Sequence, residues 1–214
     1  MQTYQFDLPI QRVDDVDGAS VVIPLNLPKT FGMGRMKVRA QFDGVPYRGS
    51  IVSMGQGDSK QTSPKKPSAT VQAEKQYVLG ITQAIRQQIG KQPGDIVHVS
   101  FVSAQIDEPA WIYVSALLTK VLRKGRTEDE FAAVISWLLG YERQSLTETV
   151  LTDIPYAQWL DNAPQLNPAA DAIKGKVCGY AVTDISDETM RRMRLLDKVI
   201  DELAKGKPLE SVCR

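Results

Sequence analysis

The spacing of apolar residues changes once along this chain, between Ile106 and Trp111. Before that point apolar and polar residues mostly alternate, as in strands; after it, apolar residues recur every three or four positions, as in helices. Alternation sends successive side chains to opposite faces of a sheet, whereas the longer repeat draws a stripe down one side of a helix. Each stretch is long enough to close its own core. The expected class is therefore α+β with two domains. A small β-barrel with one short helix is expected over residues 1–107, and a mostly helical domain with a short extended strip over residues 111–214.

In the first half, YQFDLPIQ alternates from Tyr4, and ASVVIPL reads as a buried strand after a turn at Asp17 and Gly18. In MKVRAQF, Met36, Val38, Ala40 and Phe42 share one face, which leaves Arg35, Lys37 and Arg39 together on the other. Asp43-Gly44 suits a two-residue hairpin turn into VPYRGSIVSM, because glycine takes positive φ without steric cost. Residues 55–76 carry almost no large apolar group and cannot bury enough surface to offset their ordering entropy, so a mobile insertion is expected there. The segment YVLGITQAIRQQIGKQPGDIVHVSFV then predicts a strand, a short helix, a turn and a strand. Ile81, Ile85 and Ile89 fall on one helical face, with Gly90 ending the helix.

The second half predicts helices with explicit boundaries. WIYVSALLTKVLRKG places Ile112, Ala116, Leu117 and Val121 on one face, with Gly125 at its end. Thr127 and Glu130 make a capping box for a helix whose stripe is Phe131, Val134, Ile135 and Leu138. Shorter helices are expected around Glu142–Val150 and Tyr156–Ala163, and GKVCGYAVTDI reads as an extended strip. Ser186 with Asp187 and Glu188 opens a long final helix with Met190, Met193, Leu196, Ile200 and Leu203 facing inward.

Composition restricts the chemistry. The 214 residues carry a formal net charge of +1. Residues up to and including Glu108 hold 12 Lys and Arg against 10 Asp and Glu, and the rest hold 14 against 15. Neither half has the basic excess of a protein that neutralises many phosphates, although a local basic face stays open. The two cysteines, Cys178 and Cys213, lack metal-ligand spacing and read as reduced thiols. With a single histidine, His98, set among alternating apolar residues, multi-histidine metal sites and histidine-dependent triads have little to work with. No glycine cluster continues into a phosphate loop, so no cofactor or metal is called for. No apolar run approaches the roughly 20 residues of a membrane span, and the start shows no secretory pattern. A cytoplasmic location without membrane association is the expectation.

Two resemblances rest on these residues. The stretch FGMGRMKVRAQFDGVPYRGSIVSMG together with ITQAIRQQIGKQPGDIVHVSF resembles a bacterial and archaeal family of small β-barrels of unknown function, over roughly Tyr4–Asp107 apart from the insertion. Its members are often fused to domains associated with bacteriocin protection. The resemblance implies a double-split barrel, the architecture of swapped-hairpin transcription factors and antitoxins, in which a dimer presents arginines to DNA. Arg35, Lys37, Arg39 and Arg48 are the counterparts here by chemistry, without a matched motif. From about Trp111, KVLRKGRTEDEFAAVISWLLGY, QLNP, GKVCGY and MRLLDKVIDELAKGKPLESV are similar to a second bacterial family of unknown function, which implies a compact helical domain and brings no reaction with it. Members of that family commonly carry an arginine after the GY, where this chain has Ala181, and a proline near the start of the last helix, where it has Glu188-Thr189.

Three functional readings follow. The first is a binding or interaction protein without catalysis, for a protein or small-molecule partner. The second is a nucleic-acid-binding regulator using Arg35, Lys37, Arg39 and Arg48, with Arg191, Arg194 and Lys198 as a further anion face along one side of the last helix. The third is an enzyme with a pocket around Asn167, Cys178 and Tyr180. A solvated, charge-laced surface is the preferred reading for both basic groups, and core packing for Cys178. A homodimer is implied by the barrel resemblance alone.

Overall fold

The computed structural model describes residues 2–13, 18–54, 75–150, 153–177 and 179–214. It divides into two compact units, one of Thr3–Leu27 with Gly34–Phe101, the other of Val102–Arg214 with Pro28–Met33. Most of the expected insertion at 55–76 lies outside the described residues, as do Asp17 of the first turn and Cys178.

The first unit is a curled antiparallel half-barrel. Its strands are β1 (Tyr4–Pro9), β2 (Gln11–Val13), β3 (Gly18–Ile23), β4 (Arg35–Phe42), β5 (Val45–Met54), β6 (Gln76–Ile81) and β7 (Ile96–Ser103), in the spatial order β1-β7-β4-β5-β6-β3-β2. The alternation read from sequence sets which face is covered: Met36, Val38, Ala40 and Phe42 of β4 and Val97, Val99 and Phe101 of β7 are all buried. Asp43 (φ 46°) and Gly44 (φ 84°) both take positive φ, the backbone of a primed two-residue turn that matches strand twist. That turn pairs Phe42 with Val45 and fixes every later pair of the β4–β5 hairpin.

The short helix starts later than the isoleucine spacing suggests. Ile81 closes β6, where it is buried, and the helix runs over Gln83–Ile89 with Thr82 as N-cap. A threonine hydroxyl that accepts the Ile85 amide, and a left-handed Gly90 at the other end, define the helix more sharply than a three-point periodicity can.

The second unit contains α1 (Leu27–Phe31) from Pro28 on, then α2 (Ala104–Asp107), α3 (Ala110–Leu122), α4 (Glu128–Leu139), α5 (Arg143–Val150), α6 (Tyr156–Asp161), α7 (Glu188–Ala204) and α8 (Leu209–Val212), the short helix Gln83–Ile89 of the first unit being left unnumbered. A two-stranded hairpin, β8 (Lys176–Val177) and β9 (Tyr180–Ala181), precedes α7. The Thr127–Glu130 capping box is complete in both directions. All five expected inward residues of α7 are fully buried.

Helix α3 departs from expectation. Its covered stripe is Ala110, Val114, Leu117 and Val121, while Ile112 is 40% exposed and Ala116 is exposed. The sequence offers two apolar stripes at helical spacing on this helix, and periodicity alone cannot choose between them. Pro28–Met33 is held in the second unit by backbone bonds from Ser186 N–H to Lys29 C=O (2.9 Å) and from Asp187 N–H to Thr30 C=O (3.1 Å). Gly32 is required there: its φ is 66°, and a Cβ would lie 2.5 Å from Ile185 Cδ1.

Candidate functional site

The outer face of the β4–β5 hairpin gathers the four cations of the first basic group. Burial of the even-numbered β4 residues turns Arg35, Lys37 and Arg39 outward, although Arg39 is half covered. Across the strand pair Arg35 lies opposite Val52, Lys37 opposite Ser50, and Arg39 opposite Arg48. Directly opposed residues on one face hold their Cβ atoms about 5 Å apart, and like charges so placed repel. Among the described residues no carboxylate forms an ion pair with Arg35, Lys37 or Arg48.

The basic group of α7 is built differently. Arg191 pairs with Asp171, Arg192 with Glu188 (2.6 Å), Arg194 with Asp197 (2.8 Å) and Lys198 with Glu202 (3.1 Å). Arg194 is only 6% exposed, and its second guanidinium nitrogen lies 4.0 Å from Met33 Sδ. Arg191, Arg194 and Lys198 each face a carboxylate, as in the charge-laced surface preferred for this helix over an anion face, but Arg194 is internal rather than solvated. Burial raises the pKa of Asp197, opposed by Arg194. At Glu202 burial also pushes upward, but hydrogen bonds from Arg214, Lys198 and Lys207 prevail and hold the carboxyl at about 2.

The proposed pocket residues have structural employment. Asn167 Nδ2 donates to Trp137 C=O (2.9 Å), and its Oδ1 accepts Ala169 N–H (2.9 Å), which caps the 3-10 turn Pro168–Ala172. Both ends of the amide are committed to backbone. Tyr180 is half-buried in β9, opposite Val177. Nearby aromatic rings stack on one another: Tyr141 on Trp159 (centroids 5.1 Å apart), Trp159 on Tyr156, and Tyr156 on Tyr113 (4.6 Å). The Tyr141 hydroxyl donates to Trp159 C=O at 2.7 Å. Burial pushes Tyr113 up to about 12, with Asp197 adding to it, and drives Tyr156 well above 10. Neither phenol can act as a base near neutrality.

An open cleft of about 440 Å³ does occur at the start of α7, lined by Gln2, Asp161, Asp187, Glu188, Thr189 and Arg192. Its polar groups are largely tied to one another, with Thr189 Oγ1 donating to Asp161 and Arg192 spanning Glu188 and Leu160 C=O. Asp187 and Glu188, which the sequence places at a helix start, both line this cleft. His98 is outward-facing on β7, with Nδ1 2.8 Å from Asp7 Oδ1. Cys213 is a free thiol whose pKa is raised by burial. Among the described residues no three His, Cys, Asp or Glu side chains converge to hold a metal ion, and no helix is long and apolar enough to cross a membrane.

A curled strand unit followed by a helical unit is the two-part construction of two bacterial families of unknown function. Residues 108–214 match the family described as an uncharacterized protein conserved in bacteria (DUF2200), and the chain belongs to that family. Residues 6–60 match a domain of unknown function (DUF1905). Among solved structures, the uncharacterized protein SP1917 is 36% identical, over a match covering 50% of this chain and 88% of that one, with a TM-score of 0.49. No curated protein matches the chain.

Proposed function

We propose that this chain is a binding protein without a reaction of its own, and that Arg35, Lys37, Arg39 and Arg48 on the strand unit engage a nucleic-acid backbone. The carrying observation is the contrast between the two units. On α7 each of Arg191, Arg192, Arg194 and Lys198 faces a carboxylate, whereas Arg35, Lys37 and Arg48 face none among the described residues. Arg48 moreover lies directly across from another arginine. Cations two residues apart along a strand are about 7 Å apart, and such a row on an exposed face is relieved by an anion laid along it. The whole-chain charge of +1 does not oppose this, because phosphate contact is a local matter.

Backbone contacts position a protein without reading sequence, so binding should tolerate many sequences. Four phosphate contacts give a slope of log K against log salt of about −3.6 on duplex and about −2.8 on single strands. The test is binding of mixed-sequence DNA and RNA to the full chain over a salt series, with an Arg39→Ser, Arg48→Ser double variant alongside. The double variant should lose about half of the slope. No binding at low salt, or a slope indifferent to the double variant, overturns the reading. A cytoplasmic location is part of this reading.

A further inference from the structure

Arg194, in the middle of α7, is only 6% exposed, and its charge is permanent because a guanidinium does not deprotonate in proteins. Its Nη1 donates to Asp197 at 2.8 Å. On the other side, Nε has no hydrogen-bond partner among the described residues, and Nη2 reaches only Met33 Sδ at 4.0 Å. Nε–H and Nη2–H lie on one edge of the guanidinium and form the side-on fork that matches the two oxygens of a carboxylate. A thioether is a weak acceptor. A fork shaped for two oxygens therefore faces one sulfur.

A second buried donor belongs to the same cluster. Tyr156 is fully buried with no partner for its hydroxyl among the described residues, and it lies near enough to Arg194 and Asp197 that both charges act on its ionisation. Buried polar groups are nearly always bonded, so two such donors in one place call for an acceptor.

We propose that the side-on edge of Arg194, with the Tyr156 hydroxyl as a further donor, binds a small carboxylate, and that the Met33 side chain is the gate of this site. The gate follows from how Met33 is held. Ser186 N–H and Asp187 N–H pin the backbone before it through Lys29 C=O and Thr30 C=O. Gly32 packs closely enough that a Cβ there would lie 3.5 Å from Arg194 Cγ. The methionine side chain beyond it is unbranched, turns about three bonds and is held at the guanidinium only by its sulfur. Met33 still touches solvent at 8% exposure, so turning it outward uncovers the fork. One negative charge, rather than the two of a phosphate group, suits a guanidinium that already carries Asp197 on Nη1. Met33, Tyr156, Arg194 and Asp197 all belong to the helical unit, so this site is independent of the cationic strip on the strand unit.

The test is thermal unfolding of the full chain at neutral pH in sodium acetate, against sodium chloride of equal ionic strength. Acetate should raise the midpoint in a saturable way, by about 5 °C at about ten times its dissociation constant. In a chain with isotope-labelled methionine methyl groups, six in all, the signal lost in Met33→Leu should move with the same saturation. Arg194→Lys keeps the charge but loses the fork, and should abolish both effects. Tyr156→Phe keeps the ring and removes a hydroxyl that has no partner, so it should be at least as stable as the wild type in chloride, yet bind acetate at least about fivefold more weakly. The Arg39→Ser, Arg48→Ser chain should respond to acetate as the wild type does. A midpoint that rises linearly and equally in every chain overturns the proposal. So does a Met33 signal that stays still, or a Tyr156→Phe chain that binds acetate as tightly as the wild type.

Discussion

Glu202 offers a quantitative handle on the helical unit. Its side chain is 5% exposed and is surrounded by Lys198 Nζ at 3.1 Å, Lys207 Nζ at 3.2 Å and Arg214 Nη1 at 2.7 Å. A carboxyl lowered from the usual 4.5 to about 2 is stabilised in its charged form by about 3 kcal/mol, at 1.36 kcal/mol per pKa unit. Lys207 is half exposed, so solvent screening reduces the figure to about 2 kcal/mol. A lowered folded-state pKa contributes stability that is fully present above the unfolded value and fades as pH falls through the folded one. Glu202→Gln should therefore cost about 2 kcal/mol near neutral pH, and the deficit should shrink between pH 4.5 and about 2. Urea denaturation followed by the fluorescence of the three tryptophans, of which Trp159 is fully buried, reads both effects, and the midpoint should drop by about 1 M. Equal midpoints near neutrality, or a deficit that persists undiminished to the acid end, would refute the reasoning.

Gly140→Ala should destabilise by about 2 kcal/mol or more, because φ is 75° and the new Cβ would lie 2.9 Å from Gln165 N and 3.0 Å from its carbonyl oxygen. Gly90→Ala, also left-handed but with open space around it, should cost only about 1 kcal/mol, and thermal denaturation of the pair separates strain from collision. Asn167→Ala should cost about 1–3 kcal/mol by orphaning Trp137 C=O and Ala169 N–H; a variant as stable as the wild type would mean that the amide serves something other than the fold.

Much of the architecture is written in short stretches. Thr127 with Glu130, Asp43-Gly44 and Gly90 act through backbone geometry within a few residues, and each forms the cap or turn that its type implies. The register that sets Arg48 across from Arg39 follows from the two-residue turn, so the cationic strip of the hairpin was legible once the turn was recognised. Arg194 was not legible in this way. An arginine three residues before an aspartate reads as a solvated pair, and nothing local marks the burial that Met33, 161 residues earlier, helps impose. Asn167 resembled a pocket residue because an amide before proline fits a ligand contact as readily as a cap.

By itself the sequence determined the order and kind of the longer strands and helices, the two-part construction and the inward faces of the strands and of α7, because these depend on periodicity and on backbone preferences within one or two turns. The tertiary structure decided which of two apolar stripes α3 buries, which cations acquire a carboxylate, and that Pro28–Met33 joins the helices. Those choices are settled by neighbours remote in the chain, since a stripe or a charge has no partner until another element is brought against it.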